Sequence, residues 1–228
     1  MARILAIADE VDRRLNIRHL RDLEPDIVVS CGDLPWDHLE FVVSVVNKPL
    51  VWVPGNHDPI PRRRDRAPAG VAGAGGPVVI LPDFEEQWRP PPGPMGCIPL
   101  DGQIVDVKGV RFAGLGGSIR YNEGHHQYTD AEMARKVRKL AGKTRRKRLR
   151  DRKGVDVFVT HSPPRGLGDQ TDPPHRGFTS FHTALERLQP RLMLHGHIHP
   201  FGIDRPDREV GRTRIVNVVP YKILEIES

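Results

Sequence analysis

The sequence predicts an α/β protein built on a parallel sheet, and three observations carry that prediction. Short apolar runs alternate with segments of helical spacing, the apolar runs end on acidic, amide or imidazole residues, and no internal repeat or interdomain linker separates those ends. Alternation of this kind argues a parallel sheet. Open α/β sheets build their ligand sites at the carboxyl ends of the strands, where these polar residues fall.

Arg3 to Ala8 reads as a first buried strand, ending at Asp9, and Asp12 to Leu23 as a helix with Leu15, His19, Leu20 and Leu23 at helical spacing. Asp26 to Ser30 is the next strand, stopped by Cys31-Gly32-Asp33; the helix Trp36 to Asn47 follows and Lys48-Pro49 closes it. Pro49 to Val53 is a third strand, delivering Pro54-Gly55-Asn56-His57-Asp58, a pentapeptide that on its own is equally compatible with an ordinary turn. Residues 61–77, arginine-rich and then rich in Ala, Gly and Pro without a period, predict a mobile loop. A strand is expected over Val78 to Leu81 and a stiff extended connector over Arg89 to Pro94.

Gln103 to Val107 and Val110 to Ala113 predict a hairpin turning at Lys108-Gly109 and running into Gly114 to Ser118. Thr129 with Glu132 forms a capping box opening a helix through Met133, Val137 and Leu140 to about Gly142. Beyond it, residues 143–153 form a strongly basic segment without aromatics, read either as a solvated face or as a polyanion contact. Asp156 to Thr160 is a further strand and delivers His161; a helix capped by Ser180 runs to Gln189; Arg191 to Leu194 leads to Gly196-His197-Ile198-His199. Thr213 to Val219 and Lys222 to Ile226 read as a closing pair of strands, so residues 1–228 are expected to form one domain.

Composition narrows the function classes. A hydrophobic fraction of 38% with 28% charged residues suits a soluble globular protein. No apolar run approaches the roughly 20 residues that cross a bilayer, and Asp9 and Glu10 interrupt the first apolar run where a signal peptide would continue. Cys31 and Cys97 are too few for a disulfide scaffold or a thiolate cluster, which points to a reducing cytoplasm. A net charge of +6 attracts anionic partners without naming one.

Five segments share the end of a predicted strand: Asp9, Gly32-Asp33, Gly55-Asn56-His57-Asp58, His161, and Gly196-His197-Ile198-His199. Carboxylate, amide oxygen and imidazole donors without thiolates suit divalent manganese, iron or zinc. The set resembles the calcineurin-like metallophosphoesterases, whose pattern is Asp-x-His, Gly-Asp, Gly-Asn-His-Asp/Glu, a lone His, and Gly-His-x-His, and the match spans almost the whole chain. Gly114 to Ser118, Tyr121-Asn122 and Thr160 to Pro164 look like the branch of predicted phosphoesterases related to cyclic-nucleotide phosphodiesterases.

The resemblance implies a sandwich of two mixed β-sheets flanked by helices, with the site at the strand carboxyl ends. It implies two divalent metal ions, manganese first, and hydrolysis of a phosphoester, a diester before a monoester. Asp33 would bridge the metals, Asp9 and His199 would hold the first, and Asn56, His161 and His197 the second. His57 would donate a proton to the leaving oxygen, with Asp58 orienting its ring. Where the family has the histidine of Asp-x-His this chain has Val11, which weakens the first site unless Asp12, or less readily Glu10, replaces it. Arg176 and His126 are the expected substrate contacts. Two other classes remain open: a nucleic-acid-binding or regulatory protein with a degenerate metal site, and a nuclease in which the basic segment guides a polymer to the metals.

Overall fold

The computed structural model describes residues 1–60, 93–202 and 206–227. Its strands and helices form four layers, helices outside and two sheets face to face. From edge to edge the first sheet carries β13 (Tyr221–Ile226), β1 (Ala2–Ile7), β2 (Ile27–Ser30), β3 (Leu50–Trp52) and β4 (Cys97–Pro99); all are parallel except β13, which is antiparallel to β1. The second carries β11 (Arg208–Val210), β12 (Thr213–Asn217), β10 (Leu192–His195), β9 (Val157–Thr160), β6 (Val110–Leu115) and β5 (Ile104–Val107). Its four central strands run parallel, and its two edge strands are antiparallel to their neighbours. A short pair, β7 (Ser118–Ile119) and β8 (Gln127–Tyr128), stands apart.

The two-residue period of a strand divides each sequence between two cores. In β1, Ile4 and Ala6 face the second sheet while Leu5 and Ile7 face the helices α1 (Ile17–Asp22) and α2 (Trp36–Val46). In β9, Val157 and Val159 face the first sheet, and Phe158 packs on Phe181 of α4 (Ser180–Leu188) beneath α3 (Asp130–Asp151). Because both faces of the central strands are covered, they read in sequence as continuous apolar runs rather than alternating ones.

Several expectations shift in detail. The first helix starts at Ile17 rather than near Asp12, because Asn16 caps it by accepting from His19 N while Asp12 folds back onto the Arg14 backbone and guanidinium. The hairpin forms as read, with Lys108 and Gly109 at φ 46° and 81°, both in the left-handed region that a tight two-residue turn uses. The capping box at Thr129 is present, but α3 continues past Gly142 to Asp151. One interior glycine costs only about 1 kcal/mol, and Arg111 holds the end of the helix through two hydrogen bonds to Asp151. Ser180 is the first helical residue rather than the cap, and its helix ends at Gln189 in the left-handed conformation.

The last two strands do not pair with each other: β12 lies beside β10, and the chain crosses through Val218 to Pro220 so that β13 lies beside β1. The expected loop over 61–77, the strand over Val78 to Leu81 and most of the Arg89 to Pro94 connector lie outside the described residues. Among the described residues no helix is long and apolar enough to cross a membrane.

Candidate metal centre

Four parallel strands, two from each sheet, deliver Asp9, Asp33, His161 and His197 to one place. One ligand atom from each lies within 4.8 Å of the others. The chain turns sharply to do this: Asp9, Asp33 and His197 have φ values of 63°, 57° and 67°. Left-handed backbone is uncommon outside glycine and is concentrated at functional sites, where surrounding structure enforces it. Glycines make room for the carboxylates. A Cβ on Gly55 would stand 2.0 Å from Asp33 Oδ1, and one on Gly196 would stand 2.3 Å from Asp9 Oδ2. Neither glycine has a positive φ, so close approach rather than turn conformation is their reason.

Each inward side chain is held by one polar atom while another points into the cluster. Asp9 Oδ2 accepts from His197 N at 2.8 Å, and Asp33 Oδ1 accepts from His57 N at 2.8 Å. His161 Nδ1 donates to the Cys31 carbonyl at 2.8 Å and His197 Nε2 to the Pro174 carbonyl at 2.8 Å; a carbonyl only accepts, so these nitrogens carry the protons. Asn56 Nδ2 donates to the Tyr121 hydroxyl at 3.2 Å, which turns its Oδ1 toward His161. Histidine ligands of metals are commonly fixed in this way, with the second nitrogen donating to a carbonyl or carboxylate.

The free atoms are mostly acceptors. His161 Nε2 faces Asn56 Oδ1 at 3.0 Å and Asp33 Oδ2 at 3.2 Å. Burial alone would lower the basicity of His161, but the Asp33 and Asp9 charges outweigh it and raise the pKa to about 9. Asp33 is affected in the opposite sense: burial pushes it up, and the His161 charge and hydrogen bond more than offset this, to about 2. Burial raises Asp9 to about 6, and burial together with the His161 charge lowers His197 to about 3. Two buried carboxylates, an amide oxygen and two imidazoles converging without a thiolate form a donor set that fits a divalent cation.

The expected first-metal side is partly assembled. His199 Nε2 lies 3.9 Å from Asp9 Oδ1, and its Nδ1 is paired at 2.6 Å with Glu10. Val11 is 48% exposed and offers no donor atom. Asp12 is held by Arg14, with Nη2 to Oδ2 at 2.6 Å, so the carboxylate brought beside His199 is that of Glu10.

The remaining candidates are placed as follows. His57 is exposed at the rim, beside Asp33. Asp58 is buried, and its Oδ2 accepts from Gly55 N at 2.6 Å and Asp33 N at 2.9 Å, so it ties the β2 and β3 loops together rather than bonding the His57 ring. His126 is half-buried against Asp58 with its Nε2 unpartnered among the described residues; burial lowers its pKa. Arg176 is exposed and reaches the Thr171 carbonyl at 3.5 Å, while its neighbour His175 lies against His197 with ring centroids 5.3 Å apart. His195, one position before Gly196, is buried and bonds the Gly196 carbonyl through Nδ1.

Sequence reading misses the Cys31 and Pro174 carbonyls, for which no residue-type signal exists; Tyr121, singled out in the sequence with Asn122, holds the Asn56 amide. The sequence model of the calcineurin-like phosphoesterases matches residues 2–201. One crystal structure is similar over 98% of this chain and 94% of its own, with a TM-score of 0.62 and 18% identity. The crystal structure of TT1561 from Thermus thermophilus is similar over 95% of this chain and 88% of its own, with a TM-score of 0.53 and 16% identity. At these identities the likeness is one of fold. No curated protein matches the chain significantly.

Proposed function

The chain belongs to the calcineurin-like phosphoesterase family, and we propose that within it the protein is a metal-dependent phosphodiesterase. The observation that carries this reading is the arrangement of polar atoms: Asp9, Asp33, His161 and His197 are each tied to the scaffold and bring ligand atoms within 4.8 Å of one another, and Asn56, tied to Tyr121, turns its Oδ1 to His161. Asp33 with Asp9 and His199, the latter paired with Glu10, would hold one divalent ion, and Asp33 with Asn56, His161 and His197 a second. Held there, such ions, manganese first among them, would supply Lewis acidity toward a phosphoryl oxygen and acidify a water near neutral pH.

The protein groups divide the rest of the work. Tyr121 fixes which face of the Asn56 amide looks inward, and Asp58 fixes the spacing of the two loops that carry Asp33 and Asn56. The His57 ring stands exposed at the rim, where it can hold a proton for a departing oxygen. A diester rather than a monoester is favoured by the likeness of the Gly114–Ser118 turn and Tyr121-Asn122 to the branch related to cyclic-nucleotide phosphodiesterases. His126, with its buried unpartnered nitrogen, and Arg176, released from Thr171, are the side chains assigned to substrate.

A degenerate centre in a nucleic-acid-binding or regulatory protein is the second reading, and Val11 is the observation behind it; Glu10 beside His199 weighs against it. The test is hydrolysis of bis(p-nitrophenyl) phosphate and p-nitrophenyl phosphate with manganese, iron or zinc supplied. Faster turnover of the diester, lost in Asp33→Ala, is expected. Absence of turnover with every metal would favour the degenerate centre, and preference for the monoester would overturn the diester assignment.

A further inference from the structure

The basic stretch over residues 143–153 is the C-terminal half of α3 with the residues that close it, and the cations of the helix fall on three faces. One face is neutralised by the hairpin and its flanks: Lys136 pairs with Asp101, Lys147 with Asp106 and Lys153 with Asp156, while Lys143 bonds the Gly102 carbonyl. Another face carries Arg138, Arg145, Arg148 and Arg152, at helical spacings of seven, three and four residues. All four are exposed, and none has an acidic partner among the described residues. With Arg187 of α4, three of them line a cleft of about 550 Å³ between the two helices, floored by Ala141 and Leu188. Arg135, Lys139, Arg146 and Arg150 are exposed on a further, solvated face of the helix, and the stripe differs from that face in bordering a cleft.

We propose that this arginine face binds the phosphate backbone of a nucleic acid, at a surface separate from the metal centre. Guanidinium groups match phosphate oxygens bidentately, which lysine does not. From Arg138 to Arg152 the stripe runs about 21 Å along the helix, the reach of several phosphates of one strand at roughly 3.4 Å of axial rise each. That length fits a linear polyanion rather than a single phosphate. No aromatic side chain lines the cleft, so contact is with the backbone and not with stacked bases.

The C-terminal end of this face stands away from the metals. The end of α3 is tied by Lys153 to Asp156, which precedes β9, and by Asp151 to Arg111 near the start of β6. The metal centre lies off the opposite end of β9, where His161 follows Thr160. Four strand residues alone separate these ends by about 13 Å.

The test is fluorescence anisotropy of a labelled DNA duplex over a salt series, with the unmodified full chain, with Arg145→Gln/Arg148→Gln/Arg152→Gln, and with the charge-matched Arg13→Gln/Arg18→Gln/Arg21→Gln. At about 0.9 for each phosphate no longer neutralised, the first triple variant is expected to reduce the slope of log K against log salt by about 2 to 3. The charge-matched variant should keep the slope, and both should hydrolyse a small diester at the unmodified rate. Equal losses in the two variants, no salt-dependent binding by the unmodified chain, or binding to phosphatidylserine vesicles but not to DNA would each overturn the proposal. So would a fall in small-diester turnover confined to the first variant, because the face would then act with the metal centre.

Discussion

Replacing Gly55 by alanine places a methyl carbon 2.0 Å from Asp33 Oδ1, where ordinary contact begins at 3.4 Å. The carboxylate must retreat by about 1.4 Å or the loop must open, and the loop is pinned by Asp58 through Gly55 N and Asp33 N. The retreat also breaks the 2.8 Å hydrogen bond from His57 N to the same oxygen, so both Asp33 and His57 move. A misplacement of about 1 Å in a catalytic arrangement costs on the order of 100-fold, and forced overpacking costs about 1–3 kcal/mol of stability. The expected result for Gly55→Ala is therefore a folded protein with lower metal content and diester turnover reduced about 100-fold. Gly142→Ala serves as the control, because a Cβ there meets nothing within 4 Å. The assays are metal analysis by mass spectrometry after gel filtration and kcat/KM at saturating manganese. Unchanged turnover and metal content in Gly55→Ala would refute the reasoning, because Asp33 could then move freely without consequence.

Two further outcomes follow from the same geometry. Glu10→Gln should weaken retained metal about 10- to 100-fold, the usual effect of losing a partner of a ligating histidine, whereas Asp12→Asn should leave it unchanged; equal effects in a metal titration would contradict the assignment of Glu10. Arg111, 3% exposed, hydrogen-bonds Asp106 and Asp151 and holds both carboxylates below their ordinary range. A depressed carboxylate contributes stability that is present above the unfolded pKa of about 3.9 and is lost as pH falls through the folded value. Arg111→Met should thus lower the urea midpoint at pH 7 and lose less of it than the unmodified chain between pH 5 and pH 2.5; parallel losses would show that this network does not set the acid limb.

The strand ends are legible because chemistry and topology coincide there: a parallel sheet needs buried apolar runs, and Asp33 or His161 directly after such a run has few other uses. The hairpin is legible from Lys108-Gly109 for the same local reason. What sequence does not display is competition among neighbours. Asp12 is a plausible helix cap and a plausible ligand until Arg14, two residues on, takes both its oxygens. Glu10 becomes relevant only because His199, distant in sequence, folds against it. The last turn of α3 is held from outside the helix, by Arg111 on Asp151, a contact that the helix's own sequence does not display. The carbonyls of Cys31 and Pro174 are main-chain groups that every residue possesses, and only their placement distinguishes them.

The crossing from β12 to β13 bears on the order of synthesis. Ala2 pairs with Ile226 and Ile7 with Tyr221, so the strand that leads to Asp9 gains its outer neighbour only when residues 221–226 have been made. A ribosome releases those residues after every metal-binding candidate from Asp9 to His199 is already outside or in the exit tunnel. Until then β1 is a sheet edge, paired only with β2. Closure of the first sheet therefore follows the synthesis of every metal-binding candidate, and a ribosome that stalls before residue 221 leaves β1 as an open, sticky edge beside them.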